Sequence, residues 1–275
     1  MTRPSPGPLR VGTGSHVYEA SRPFDDVVTG DVSHVAVDSA GRLYVYRRTV
    51  PPLLIFDGSN ELIESWDPPI VWAHGLYVTR SNEVFVGDGG AHVIFKLDSR
   101  GEVLLTLGTP GVASWQAPFN HPTDVAVAPS GDILVSDGYG NSAIHKFSAD
   151  GDFITSWGAP GNGPGEFANP HALWVDSEYC VYVVDQYNHR VQLFDETGRF
   201  ITEWTSFHVP MDIFMASDGS LLVTDFTPRL TVLTRAGKIL SRCKSPIAIH
   251  GLWEDARSNL LCAGNLDGVV KLTRV

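Results

Sequence analysis

The sequence lacks the features that point to a disulfide framework, a nucleic-acid surface or a membrane. It contains only three cysteines, Cys180, Cys243 and Cys262, with no CxxC spacing, so neither a set of disulfides nor a thiolate zinc site is indicated. Its 20 basic residues are outnumbered by 31 acidic ones, and the net charge of −11 argues against binding to phosphate backbones or anionic lipid. No apolar run approaches a membrane span, and residues 1–10 lack the apolar core of a signal peptide. We therefore expect a cytoplasmic protein that binds neither nucleic acid nor membrane.

Long stretches rich in Ala, Glu and Lys, which are typical of helices, are also missing. Instead, 27 glycines and 18 prolines indicate many turns. Hydrophobic residues make up 43% of the chain and charged residues 19%, a balance that excludes both disorder and a coiled coil. The length of 275 residues allows one large domain or two small ones. The composition favours an all-β protein.

A pattern of short β-rich segments recurs six times along the chain. The second strand of each repeat is predicted at Leu43–Tyr46, Val84–Gly87, Ile133–Ser136, Val181–Val184, Leu221–Thr224 and Leu260–Ala263. Such repeats, about 40–50 residues apart, are typical of propeller blades. We predict one domain, residues 1–275, folded as a six-bladed β-propeller. The blades are expected at residues 30–66, 72–108, 121–158, 169–205, 209–243 and 248–275.

The sixth repeat ends after its third strand. The N-terminal segment, residues 1–20, has no other place in the pattern, and it contains Val11 and the run His-Val-Tyr at positions 16–18. We predict that this segment supplies the missing outer strand of the last blade. Such a strand would close the ring and remove the exposed edges of an open array.

One position per blade should line the central channel, because the innermost strands begin there. Counting back five residues from the end of each first strand gives Ser33, His74, Thr123, His171, Met211 and His250. Histidine occupies the second, fourth and sixth blades only, so His74, His171 and His250 should face one another across a pseudo-threefold axis. Three imidazoles with an open fourth position are a typical site for a catalytic divalent metal, with zinc as the first candidate.

Two segments carry a resemblance to the NHL repeat family. They are residues 185–194, Asp-Gln-Tyr-Asn-His-Arg-Val-Gln-Leu-Phe, and residues 137–141, Asp-Gly-Tyr-Gly-Asn. The resemblance implies a six-bladed propeller, which agrees with the repeat count. It says little about function, because propellers serve both as enzymes and as binding platforms.

A more specific resemblance is to the catalytic core of peptidyl-α-hydroxyglycine α-amidating lyase. The segments Ala-His-Gly-Leu at 73–76 and Pro-His-Ala-Leu at 170–173 are similar to its first two metal-histidine segments. Residues 122–127 and 135–139 are similar to the blade that carries its catalytic tyrosine. The resemblance implies that Tyr139 acts as a base on a substrate hydroxyl and that Arg48 corresponds to a family arginine of the first blade. Otherwise Tyr139 is a turn aromatic and Arg48 a solvated charge.

The chain departs from that family at two positions. Gln186 stands where a second arginine would hold substrate, so Gln186 and Arg47 are the candidate substrate-binding residues. Gly251 stands where an aspartate contributes to a structural calcium site, so calcium is not expected. Together these changes indicate related chemistry on a different substrate.

The sequence thus predicts a metal-dependent lyase that cleaves a small hydroxylated amide of the hemiaminal type. Its partner would be a small-molecule substrate, and its oligomeric state is left open. The first alternative is a metal-dependent hydrolase that uses the same residues. The second is a non-catalytic NHL binding platform, for which Trp66, Trp72 and Trp115 could form an aromatic patch. A calcium lactonase propeller is disfavoured, because such enzymes carry Glu, Asn and Asp around the channel.

Overall fold

The computed structural model describes residues 8–275. Residues 1–7 lie outside the described residues. They include most of the stretch that was considered for a signal peptide and the start of the predicted closing segment. Over residues 8–275 the chain forms strands and one short 3-10 helix, Gln186–Asn188. No helix in this part of the chain is long and apolar enough to cross a membrane.

The strands form six antiparallel sheets, which confirms the predicted all-β six-bladed propeller. Two strands precede the first blade, β1 (Arg10–Thr13) and β2 (His16–Ser21). Blade 1 contains β3 (Val32–Val37), β4 (Leu43–Arg47), β5 (Leu53–Phe56) and β6 (Leu62–Trp66). Blade 2 contains β7 (Ala73–Val78), β8 (Val84–Asp88), β9 (Val93–Leu97) and β10 (Val103–Gly108). Blade 3 contains β11 (Asp124–Val127), β12 (Ile133–Asp137), β13 (Ala143–Phe147) and β14 (Phe153–Trp157).

The second half of the chain repeats this arrangement. Blade 4 contains β15 (Pro170–Val175), β16 (Val181–Asp185), β17 (Arg190–Phe194) and β18 (Phe200–Thr205). Blade 5 contains β19 (Pro210–Met215), β20 (Leu221–Asp225), β21 (Arg229–Leu233) and β22 (Ile239–Lys244). Blade 6 contains β23 (Gly251–Glu254), β24 (Leu260–Ala263) and β25 (Val269–Arg274). The first strands of neighbouring blades contact one another in a closed ring, so the channel is lined by β3, β7, β11, β15, β19 and β23.

The N-terminal segment completes the last blade, as predicted. Strand β2 pairs with β25, where Tyr18 lies opposite Arg274. The segment forms two strands rather than one, because the chain turns at residues 14–15 and β1 pairs back onto β2. Blade 6 is therefore a five-stranded sheet, and the ring is closed by pairing between the two ends of the chain.

In blades 1, 3 and 4 a tryptophan near the end of the outer strand packs against the next blade. A Cβ atom on Gly198, in the outer turn of blade 4, would lie 2.6 Å from the indole of Trp157 in blade 3. Trp66 of blade 1 has the same relation to Gly101 of blade 2. These contacts bury aromatic surface between blades, and the turn residue must be glycine for the indole to fit.

The innermost strands are irregular near their first residues. In four blades the pairing register shifts across the predicted channel position, namely between Val32 and His34, Ala73 and Leu76, Pro170 and Ala172, and Pro210 and Asp212. A bulge of this kind takes a residue out of the ladder and turns its side chain in a new direction. Here it frees the channel-lining residues from the regular alternation of the strand.

Aspartates at the ends of second strands hold the loops around the channel mouth. In blades 2 to 5 each carboxylate accepts a hydrogen bond from a main-chain N–H 16 or 17 residues earlier. The pairs are Asp88 with Trp72, Asp137 with Asn120, Asp185 with Ala168, and Asp225 with His208, at 2.8–3.0 Å. The loop that follows Asp137 carries Tyr139, so this clamp positions a candidate catalytic residue.

Candidate metal centre and active site

The three predicted channel histidines meet on the axis of the ring. The ring centroids of His74, His171 and His250 lie 4.8–5.1 Å apart, and one nitrogen from each lies within 4.8 Å of the others. All three side chains are buried. Each sits at or immediately before the start of the innermost strand of an even-numbered blade, so blade geometry alone brings together residues about 80–100 positions apart.

Main-chain oxygens of the odd-numbered blades orient these imidazoles. Nδ1 of His171 donates to the oxygen of Met211 at 2.6 Å, and Nδ1 of His250 donates to that of Ser33 at 2.8 Å. Nδ1 of His74 donates to the oxygen of Thr123. Because a carbonyl oxygen can only accept, each Nδ1 carries the proton, and the lone pair lies on Nε2.

Burial keeps the three imidazoles neutral. It is the main cause that lowers the pKa of His171 to about 4, and it lowers the pKa of His74 and His250 well below the usual range. Neutral imidazole is the form that binds a metal, and a carbonyl partner on the second nitrogen is a common feature of metal-binding histidines. The sequence predicted the three histidines but not the carbonyl partners, since any residue type supplies a main-chain oxygen.

Tyr139 places its hydroxyl beside two of these nitrogens. Its oxygen lies 2.8 Å from Nε2 of His74 and 3.1 Å from Nε2 of His171. Burial raises the pKa of this phenol to about 12, although 40% of the residue's surface is exposed at the mouth. The Tyr139 hydroxyl has one proton and can donate it to only one of these two Nε2 atoms. The lone pair of the other Nε2 is then left without a hydrogen-bond donor from this group. This donor set fits a bound divalent cation.

Trp72 links the tyrosine to the predicted arginine, a role that sequence reasoning missed. Its ring centroid lies 5.5 Å from that of Tyr139 and 5.4 Å from that of His74. The guanidinium of Arg48 lies 4.7 Å from the centroid of Trp72 on its ring face. The only signal was its position two residues before His74, which is shared by no other tryptophan in the repeats.

Arg48 reaches the channel and is held by neighbouring side chains. It donates to Asp31 at 2.9 Å and to the main-chain oxygen of Ala73 at 3.0 Å. Burial, the two other histidines and the Arg48 charge, in that order, lower the pKa of His74. Asp31 was not singled out from the sequence, because it lies outside the repeated strand positions.

The two predicted substrate-binding residues have other partners. Arg47 donates to the main-chain oxygens of Pro51 at 2.9 Å and Thr29 at 3.1 Å, so it fastens its own loop. Gln186 is buried, accepts a hydrogen bond from Asn169 at 2.7 Å and directs its amide nitrogen to the sulfur of Met211 at 2.9 Å. Gln186 therefore contacts the ring of channel positions through Met211. Arg47 is instead hydrogen-bonded to the main chain of neighbouring loops.

Gly251 leaves no room for the aspartate of the resembling family. A Cβ atom at this position would lie 2.7 Å from Cγ of His34 and 2.8 Å from its Cα. The imidazole of His34 thus fills the space into which a longer side chain would project. The donor set beneath the histidine ring differs accordingly from the one that the resemblance implies.

Fold and site together define a six-bladed β-propeller whose channel carries three buried imidazoles able to hold a metal ion. A family model described as a 6-bladed β-propeller matches residues 117–223. The chain is 31% identical over 216 residues to NHL repeat-containing protein 3 of Homo sapiens, covering 71% of this chain and 62% of that protein. It is 31% identical over 232 residues to peptidyl-α-hydroxyglycine α-amidating lyase 1 of Drosophila melanogaster, covering 69% and 42%. The predicted resemblance to both groups is confirmed, and the chain spans less than two thirds of either relative.

Solved propellers share the fold at much lower identity. A virginiamycin B lyase from Staphylococcus aureus aligns with a TM-score of 0.70 at 15% identity, covering 94% of this chain and 100% of that one. A gluconolactonase from Xanthomonas campestris aligns with a TM-score of 0.75 at 15% identity, covering 98% and 95%. Since a lyase and a lactonase share the architecture, the activity must be argued from the site.

Proposed function

We propose that this chain is a metal-dependent lyase that cleaves a small hydroxylated amide and releases an amide and an aldehyde such as glyoxylate. The observation that carries the proposal is the convergence of three Nε2 lone pairs with the Tyr139 hydroxyl at one buried point. Relatives named as α-amidating lyases support the same reaction class.

The three histidines would hold the ion, with zinc as the first candidate because it favours imidazole nitrogen. When bound, a divalent ion supplies Lewis-acid polarisation of substrate oxygen atoms. Neutral His74, His171 and His250 are already fixed with Nε2 inward, so little reorganisation is needed to bind it.

Tyr139 is the residue placed to move the proton. In the proposed reaction the substrate's O–H and C–N bonds break, a C=O bond forms, and the departing nitrogen gains the proton that the hydroxyl loses. The phenol oxygen would relay this proton, so the reaction consumes no water. Arg48 would orient the substrate or stabilise developing negative charge, held in place by Asp31 and Trp72.

A small metabolite is the proposed substrate, and the cytoplasm the proposed compartment. All three cysteines are free, which suits a reducing compartment better than the secretory route of a peptide-processing enzyme. Gln186 in place of an arginine also changes the groups near the candidate site, which supports a substrate other than a peptide.

The structure weakens the reason for a binding platform. That alternative required Trp66, Trp72 and Trp115 to form one exposed patch. Trp66 is 5% exposed and packs against Gly101, whereas Trp115 is 74% exposed. The three therefore do not form a continuous surface, and Trp72 belongs to the channel mouth.

Metal content and product analysis together test the proposal. The purified protein should hold about one divalent ion per chain and release glyoxylate from α-hydroxyglycine amides or ureidoglycolate. His74→Ala, His171→Ala and His250→Ala should lose the metal and the activity, whereas His208→Ala, at an exposed histidine outside the ring, should keep both. Full metal loading in all three ring variants would overturn the metal site. Formation of an acid instead of an amide would identify a hydrolase.

A further inference from the structure

A second layer of side chains alternates around the channel directly beside the histidine ring. In blades 1, 3 and 5 the residues after the channel positions are His34, Asp124 and Asp212, and all three are buried. In blades 2, 4 and 6 the corresponding residues are Gly75, Ala172 and Gly251. The small residues leave space for the ionisable ones, since a Cβ atom on Gly75 would lie 2.7 Å from Oδ1 of Asp124.

Asp124 connects two of the histidines. The main-chain oxygen of the preceding residue, Thr123, accepts the Nδ1 proton of His74. The Asp124 carboxylate itself accepts the N–H of Leu173 at 3.1 Å, two residues after His171. Leu173 lies on β15, the edge strand of its sheet, where alternate N–H groups point away from β16, so the carboxylate satisfies a buried donor that would otherwise lack a partner.

Asp212 repeats this arrangement one pair of blades further on. The oxygen of Met211 accepts the Nδ1 proton of His171 at 2.6 Å, and Oδ2 of Asp212 accepts the N–H of Leu252 at 2.6 Å. Leu252 lies two residues after His250. Two pairs of consecutive residues, Thr123–Asp124 and Met211–Asp212, therefore act in the same way. In each pair, the carbonyl oxygen of the first residue accepts a hydrogen bond from one channel imidazole. The carboxylate of the second residue accepts an N–H of the strand that carries, or directly follows, the next channel histidine.

Blade 1 differs, because His34 stands where a third aspartate would lie. Its Nε2 lies 3.5 Å from Oδ2 of Asp212, across the channel. Ser33 of the same blade links the last histidine to the first. Its main-chain oxygen accepts a hydrogen bond from Nδ1 of His250 at 2.8 Å, and its hydroxyl donates to the main-chain oxygen of His74 at 2.8 Å. The hydrogen bonds therefore run through all six blades.

These carboxylates face no space for a substrate. The cavity that they line has a volume of about 10 Å³, which is room for about one water molecule. Their partners are main-chain N–H groups and His34, so their effect on the centre passes through the backbone.

We propose that Asp124 and Asp212 are positioning residues of the metal centre, which fix the backbone of His171 and His250 so that the three Nε2 atoms converge. The inference rests on the proposed metal function. It predicts that loss of either carboxylate changes metal affinity and geometry, beyond any loss of stability.

Cobalt(II) titration of the whole chain tests this, because the visible spectrum of bound cobalt reports the geometry of its ligands. Asp124→Ala and Asp212→Ala should each bind cobalt about 10–100-fold more weakly than the wild type and shift its absorption bands. Asp124→Asn and Asp212→Asn, which keep an acceptor oxygen, should recover most of the affinity. Asp176→Ala is the matched control, since Asp176 is equally buried and accepts N–H groups at the far end of β15.

The control should lower the unfolding temperature without changing the cobalt spectrum or affinity. Each variant is measured below its own unfolding temperature. One folded alanine variant is sufficient to test the inference, because the two carboxylates act on different histidines. A folded alanine variant with wild-type affinity and spectrum would overturn this inference and leave the metal site intact. A wild type that binds no cobalt would overturn the metal function as well.

Discussion

The Nδ1 atom of His250 lies 2.8 Å from the main-chain oxygen of Ser33, a residue 217 positions away in the chain. This hydrogen bond joins the last blade to the first and orients one of the three channel imidazoles. It requires that the ring be closed, and the closure depends on pairing between β2 and β25. The geometry of the candidate metal centre is therefore coupled to the two ends of the chain.

Removing a core side chain from the closing strand should test this coupling. Tyr18 on β2 is 3% exposed, and Tyr18→Ala should lower the free energy of unfolding by about 3 kcal/mol, because it leaves a cavity in the last blade. Denaturant unfolding measures the loss, and metal affinity should fall with it. Phe153→Ala on the outer strand of blade 3, where the side chain is 54% exposed, should cost much less. Equal losses would contradict a special role for the closing strand.

The buried histidines should make the metal-free protein sensitive to acid. The pKa of His171 is lowered to about 4 by burial, against about 6.5 in the unfolded chain, so between these values the unfolded state binds the extra proton. Stability is fully present above pH 6.5 and is lost as the pH falls towards 4, by about 3 kcal/mol from this residue. Denaturant unfolding with a chelator at several pH values should show this slope, and His171→Gln should flatten it. An unchanged slope in His171→Gln would show that other groups set the acid sensitivity.

Repeat counting located the ring because propeller blades are equivalent in space. His74, His171 and His250 were found by counting back five residues from the end of each first strand. The bulges near the start of these strands do not change this count. Partners that break the repeat were not predictable in this way. Asp31 and Trp72 act at the mouth through contacts of their own loops, and the choice between Arg47 and Arg48 depended on which of two adjacent side chains turned towards the channel.

The adjacent arginines therefore form a matched pair of tests. Arg48→Lys keeps the charge but loses the planar group that reaches Asp31 and lies over Trp72, so kcat/KM should fall about 10–100-fold at unchanged metal content. Arg47→Lys loses only hydrogen bonds to the main chain of its loop, and should reduce stability slightly while activity is kept. Steady-state kinetics of aldehyde release distinguish the two. A larger loss of activity in Arg47→Lys would reverse the assignment.

The hydroxyl of Tyr139 supplies the most direct test of the proposed chemistry. Tyr139→Phe removes one oxygen atom and keeps the ring that packs against Trp72 and His74. Metal content and KM should therefore change little, whereas kcat should fall by about 100-fold or more, because the proton would lose its relay. Tyr187→Phe is the control, since Tyr187 holds the same place after the aspartate of blade 4 and is 61% exposed. Wild-type kcat in a metal-loaded Tyr139→Phe protein would mean that another group moves the proton, and the proposed role of Tyr139 would have to be abandoned.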